Sequence, residues 1–136
     1  MRLDKVINGV EVIDIIGPNN CDINNFHFDS RMIKNQDLFI AITGTNLDGN
    51  QYIQSAIENG ASVIVCEIIP KTIIENISYV ISSNLREVLA KISSNFYGNP
   101  SRKLKLIGVT GTNGKTSVVS LLYQLFSNLG YKCGLI

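Results

Sequence analysis

Apolar residues gather in short runs along the chain, separated by turns rich in Gly, Asn, Asp and Pro, and two spacings recur. "DLFIAI" (37–42), "ASVIVCE" (61–67) and "SYVIS" (78–82) are continuous apolar or β-branched runs of strand length, the pattern of strands buried on both faces. Between the first two, Tyr52, Ile53, Ala56 and Ile57 fall at helical spacing, and Gly60 supplies a left-handed stop. After the third, Asn84 with Glu87 three residues on has the form of a capping box. Leu85, Val88, Leu89, Ile92 and Phe96 then mark one helical face, which Gly98-Asn99-Pro100 ends as a short linker. Nearer the N-terminus, "VEVIDII" and "FHF" alternate in the manner of strands.

The last part of the chain repeats the theme. "LKLIGVTG" (104–111) predicts a strand and turn. Val118, Leu121, Leu122, Leu125, Phe126 and Leu129 predict a helix that Gly130 ends, and "KCGLI" predicts the start of one more strand. Alternating strands and helices give an α/β fold class. The expected division is 1–98 as one domain and 99–136 as the opening strand–loop–helix unit of a second. Two strands cannot form an independently stable layer, so the second part is expected to be poorly packed or to be held only by the first domain.

Composition narrows the function classes. With 45% apolar and 17% charged residues the chain can bury a core, and a net charge of +1 leaves no broad footprint for nucleic acid. No apolar run approaches a membrane span, and Asp4 and Glu11 interrupt any signal-peptide pattern, so no membrane partner is expected and the location expected is cytoplasmic. Cys21, Cys66 and Cys133 are odd in number and widely spaced, and His27 is the single histidine, which argues against a structural zinc site and for buried free thiols.

The candidate chemistry lies first in "GVTGTNGKT" (108–116). The usual phosphate loop is G-x-x-x-x-G-K-[ST], and here Val109 stands where its first glycine belongs. The physics tolerates that change. Gly108, Gly111 and Gly114 let backbone N–H groups approach phosphate oxygens, and the following helix adds positive charge from its N-terminus. Lys115 can reach the β- and γ-phosphates of ATP, and the Thr116 hydroxyl can ligate Mg²⁺. The second candidate is "FDSRMI" (28–33), where Asp29 can pair locally with Arg31 or cap the turn. The third is "TGTNLDGN" (43–50), a glycine loop leading into a helix and able to cradle a diphosphate.

The string "GVTGTNGKT" resembles the ATP loop of the Mur ligases, the amide-forming enzymes of peptidoglycan synthesis, including the departure at Val109. The order D-S-R, then D-L-F-x-A-x-x-G-x-x-x-D-G-x-x-[YF]-I, then A-x-x-x-G-A is similar to the N-terminal domain of two members of that family. One adds a diamino acid to UDP-N-acetylmuramoyl-L-alanyl-D-glutamate, and the other adds D-Ala-D-Ala. The linker "NFYGNPSRKLKLIGVTGTNGKT" is closer to the first, the second more often having serine where Thr112 stands.

The resemblance implies an α/β UDP-sugar-binding domain, then the truncated start of a central ATP-binding domain. Phe28 and Ser30 would lie at the uracil and uridine end of the substrate, and Thr45, Asn46 and Leu47 would contact uracil or diphosphate, where the family often has His and Gln at positions 45 and 46. Gly111, Thr112, Asn113, Gly114, Lys115 and Thr116 would hold ATP, with Thr116 on Mg²⁺, and His27 would be a strand residue. The implied partners are UDP-N-acetylmuramoyl-dipeptide and a diamino acid, diaminopimelate before L-lysine, handled by a monomer. The family's catalytic groups would lie beyond Ile136, and the 136-residue chain is expected to be inactive by itself. The rival expectations are the D-Ala-D-Ala-adding member and a non-catalytic P-loop nucleotide-binding module.

Overall fold

The computed structural model describes residues 1–44 and 48–136. Two compact units result, Met1–Arg102 and Lys103–Ile136.

The first unit is built on five strands, β1 (Asp14–Ile16), β2 (Phe26–His27), β3 (Asp37–Ile40), β4 (Ala61–Cys66) and β5 (Ser78–Ile81), in the spatial order β1-β5-β4-β3-β2. The pairs β2–β3, β3–β4 and β4–β5 are parallel, and β1 closes one edge antiparallel to β5. Register is set by side-chain parity: Leu38 faces Val63, Ile40 faces Val65, and Val65 faces Val80. Those residues, with Leu3, Val6 and Ile23, form a core on one face under α1 (Leu3–Val6) and α3 (Leu85–Phe96). The alternate residues Phe39, Ala41, Ile64, Cys66, Tyr79 and Ile81 form a second core under α2 (Ile53–Glu58). Burial on both faces is why these strands read as continuous apolar runs.

Several buried polar groups of the unit are hydrogen-bonded, while Asn50 Oδ1 and Ser62 Oγ are buried without a partner among the described residues. Asp37, 2% exposed, accepts the Lys34 backbone N–H at 2.8 Å, with His27 Nε2 at 3.8 Å. The buried Ser82 donates to the Glu11 carbonyl at 2.7 Å and Ser78 donates to the Pro18 carbonyl, which fastens the N-terminal segment to β5. Asn84 caps α3 by accepting the Glu87 N–H at 3.2 Å. At the other end of α3, Asn99 N–H reaches Ser94 O and Gly98 N–H reaches Asn95 O, with Gly98 at φ 73°. That is a Schellman stop.

In the second unit, α4 (Lys115–Asn128) ends in the same way: Tyr131 N–H bonds Phe126 O, Gly130 N–H bonds Ser127 O, and the Phe126 and Tyr131 rings meet edge-on at 5.8 Å. The strands expected over 104–111 and 132–136 are not present; neither segment takes part in the sheet pairing. A strand exists only through the hydrogen bonds of a neighbour, and neither segment has one. None of the α4 side chains is buried. Cysteine burial also departs from expectation: Cys66 is buried, and burial pushes its thiol up to about 11, but Cys21 is half-buried and Cys133 is exposed.

The two units therefore differ in what a truncation does. Ile40→Ala, at a fully buried position, should destabilise the chain by about 2–5 kcal/mol. Leu125→Ala, at a position 52% exposed, should stay within about 0.5 kcal/mol. Urea unfolding followed by tyrosine fluorescence, in a chain with no tryptophan, measures both. Equal losses would show that the α4 stripe is packed as tightly as the sheet.

Candidate functional site

Four parallel strands send their carboxyl ends to one edge of the sheet, where ligands of open α/β sheets bind. Phe28 follows β2 directly, the loop 43–50 follows β3, and α3 begins soon after β5. A cleft of about 430 Å³ opens there, lined by Phe28, Ile42, Gly44, Gly49, Tyr52, Arg86 and Leu89. Its wall is mainly apolar, with two aromatic rings and one guanidinium.

Local chemistry shapes each side of the cleft. Asp29 accepts the Arg31 backbone N–H at 3.0 Å, capping the 3-10 turn Ser30–Met32. The Arg31 side chain grips the same carboxylate through two nitrogens, Nε at 3.0 Å and Nη2 at 2.7 Å. That guanidinium, and next the backbone N–H, lowers the Asp29 carboxyl to about 2. So the "FDSR" string makes the local pair that its residue types allow, and the pair leaves Phe28, 66% exposed, standing over the cleft. Ser30 is 5% exposed and its carbonyl accepts Asn59 Nδ2 at 2.9 Å, so it also braces α2.

On the other side, Asp48 caps the turn Gly49–Tyr52 by accepting the Asn50 N–H at 3.0 Å. It also takes Asn50 Nδ2 at 2.8 Å and the Thr43 hydroxyl at 3.3 Å, which ties the two ends of the loop together. These bonds, the Asn50 N–H first, lower the Asp48 carboxyl. Gly49 lies flush on the end of β3: a Cβ there would stand 2.5 Å from both the Ala41 carbonyl carbon and the Ile42 oxygen. Backbone atoms cannot move aside as a side chain can, so only glycine fits. Thr45, Asn46 and Leu47 lie outside the described residues.

The structure brings Phe28 to the cleft, while Ser30 is buried and is not among the residues that line it. It adds Tyr52, Arg86, Leu89 and Ile42, none of which sequence reasoning singled out as site residues. Tyr52 had a signal, its place at the start of the helix after the glycine loop. Arg86 had one too: it is a cation in the first turn of a helix, where acids are favoured.

The glycine loop read as a candidate phosphate site lies in the second unit. Gly114 takes a left-handed conformation, φ 77°, as the residue before α4, and Gly111 has φ 154°. The Lys115 ammonium folds back over the loop and donates to Gly111 O at 2.6 Å and Thr112 O at 3.4 Å. A lysine held only by its own loop's carbonyls can exchange them for phosphate oxygens. Asn113 lies in the same loop, and Thr116 follows Lys115 in the first turn of α4. These residues fit a nucleotide triphosphate and the Mg²⁺ that accompanies it. Among the described residues no group of three or more His, Cys, Asp or Glu could hold a metal ion unaided.

Residues 22–97, more than half of the chain, match the family model described as "Mur ligase family, catalytic domain". The chain is 48% identical over 136 residues to a UDP-N-acetylmuramoyl-L-alanyl-D-glutamate–2,6-diaminopimelate ligase of Phocaeicola vulgatus. It is 44% identical to that of Parabacteroides distasonis and 43% identical to one from Clostridium acetobutylicum. Each alignment takes in 100% of this chain and 28% of the relative, so the chain spans a little over a quarter of their length. Among solved structures, a UDP-N-acetylmuramoylalanyl-D-glutamyl-2,6-diaminopimelate–D-alanyl-D-alanyl ligase from Acinetobacter baumannii is similar with a TM-score of 0.62 at 21% identity, over 94% of this chain and 28% of that one. A UDP-N-acetylmuramoyl-L-alanyl-D-glutamate–2,6-diaminopimelate ligase gives 0.60 at 22% identity, over 100% and 27%. At these identities the likeness is one of fold.

Two outcomes follow from the geometry of the cleft. Gly49→Ala should destabilise the first unit by about 1–3 kcal/mol, the usual effect of overpacking; a melting temperature equal to wild type would mean that the loop does not rest on β3. The Asp29–Arg31 pair should make an acid-labile contribution. Unfolded, the carboxyl titrates near about 3.9; folded, it titrates at about 2. The contribution is thus complete above about pH 4 and is lost as pH falls through about 2. The carboxyl carbon shift of Asp29, followed by NMR, should titrate at about 2 in wild type and return toward the usual range in Arg31→Ala. Identical midpoints in the two proteins would contradict this.

Proposed function

The chain belongs to the Mur ligase family, and on that premise we propose that its residues form the UDP-substrate-binding part and the ATP loop of a ligase. That ligase joins 2,6-diaminopimelate to UDP-N-acetylmuramoyl-L-alanyl-D-glutamate in peptidoglycan synthesis. The observation that carries the reading is the unbroken alignment, 48% identical along all 136 residues, with a relative named for that reaction. Because the chain spans 28% of that relative, the activity is proposed for a protein of the relative's length.

Each unit has a part in the reading. The unit Met1–Arg102 takes the UDP end of the substrate at the carboxyl edge of its sheet. Phe28 offers a ring face to the uracil and Ser30 holds the turn that carries it, and Thr45, Asn46 and Leu47 would contact uracil or diphosphate. The unit Lys103–Ile136 takes ATP, which supplies the phosphoryl group that activates the D-glutamyl carboxyl toward the incoming amine. Gly111, Thr112, Asn113 and Gly114 present backbone to the phosphates. Lys115 leaves its own carbonyls to neutralise the β- and γ-oxygens, and Thr116 would hold Mg²⁺ through its hydroxyl. Charge neutralisation and positioning are the main sources of rate in phosphoryl transfer. Among the described residues no helix is long and apolar enough to cross a membrane, and a cytoplasmic monomer is part of the proposal.

In the ligase of full length, Lys115→Ala should reduce ATP-dependent ligation by at least about 10³-fold, the scale on which a transition-state cation acts in such sites. Binding of UDP-N-acetylmuramoyl-dipeptide, measured by calorimetry, should stay within about twofold. Ligation at the wild-type rate would remove Lys115 from the ATP site. Normal ligation by wild type with L-lysine but not with diaminopimelate would correct the amino acid.

A further inference from the structure

The cleft at the carboxyl edge of the sheet holds one charged side chain among the described residues that line it, Arg86. Its other walls are the rings of Phe28 and Tyr52, the aliphatic Ile42 and Leu89, and the backbone of Gly44 and Gly49. Arg86 is exposed and makes no ion pair among the described residues. Arg31, close by in sequence terms to Phe28, is different: its charge is already spent on Asp29 through two short hydrogen bonds.

The position of Arg86 runs against the helix that carries it. Asn84 is the cap of α3, so Arg86 is the second residue of the first turn. A cation there opposes the partial positive charge of the helix end, which prefers an acid. Glu87 follows the preference, its backbone N–H bound by Asn84 at 3.2 Å. Folding of α3 gains nothing from a guanidinium at position 86. An anion seated in the cleft would gain from it twice, through charge and through planar paired donors that match phosphate oxygens.

We propose that Arg86 is the phosphate-recognising cation of this cleft and binds the diphosphate of a nucleoside diphosphate whose base lies against Phe28 and Tyr52. The proposal rests on the UDP-substrate reading of the same edge and adds to it a residue from α3. The occupant follows from complementarity. Two rings with aliphatic neighbours suit a flat base, one unpaired guanidinium suits a diphosphate, and the exposed backbone of Gly44 allows close approach.

The test uses the 136-residue chain and three probes, UDP, uridine and inorganic diphosphate, titrated by calorimetry into wild type, Arg86→Gln and Arg86→Lys. Arg86 is exposed, so the variants should fold, and equal melting temperatures verify it. Wild type should bind UDP more tightly than either uridine or diphosphate. Arg86→Gln should weaken UDP by about tenfold or more, the scale of a charge-assisted hydrogen bond, and leave uridine within about twofold. Arg86→Lys should recover part of the loss, and raised salt should narrow the gap between wild type and Arg86→Gln. UDP affinity unchanged in Arg86→Gln, with wild type still preferring UDP to uridine, would overturn the role of Arg86 and leave the UDP reading standing. Wild type that binds inorganic diphosphate as tightly as UDP would overturn the nucleotide assignment. Wild type that binds none of the three would overturn the UDP reading of the edge, and this proposal with it.

Discussion

Burial of β3 and β4 on both faces is the constraint from which the rest of the first unit follows. A strand with apolar side chains on each side needs a layer above and a layer below, and the chain provides α1 and α3 on one face and α2 on the other. Parallel neighbours then require crossovers, and every crossover leaves from a carboxyl end. The loops after β2 and β3 and the start of α3 are thereby delivered to one edge without any sequence signal that says they belong together. The cleft is a consequence of how the core is covered.

What the edge can bind is decided by which of its charges are already used. Asp29 and Arg31 neutralise each other at a separation of 2.7 Å, and Asp48 Oδ1 accepts three hydrogen bonds, two from Asn50 and one from Thr43. These acids shape the loops and offer little to a ligand. Close packing gives the loop after β3 its position as well, since Gly49 meets the backbone of Ala41 and Ile42 with no room for a side chain. The recognition surface that remains is aromatic and aliphatic, with a single cation from α3.

Much of this was legible in the residue pattern because the signals are local. Continuous apolar runs gave β3, β4 and β5; the Asn84–Glu87 spacing gave the start of α3; and the glycines at 60, 98 and 130 gave three helix ends. The "FDSR" turn could be read as a local Asp29–Arg31 pair because partners two residues apart need no tertiary information. Other features depend on distance in sequence. Leu3–Val6 is a helix of one turn whose worth lies in its contact with the α3 side of the core, so no periodicity announces it. The antiparallel direction of β1 depends on a partner more than sixty residues away, Asp14 opposite Ile81. Arg86 joins the cleft for the same reason, far in sequence from Phe28 and Gly49.

The second unit separates what is local from what is shared. Its helix, its Schellman stop and its glycine loop are all formed, because capping, a left-handed Gly114 and a lysine within reach of its own loop need only neighbours in sequence. The segments on either side, 104–111 and 132–136, have strand composition and no strand, because pairing cannot be supplied by composition. The loop's chemistry belongs to the first class. The glycine loop, the helix end and Lys115 are brought together by about ten consecutive residues, which is why the local geometry of "GVTGTNGKT" forms even where the residues beside it form no sheet.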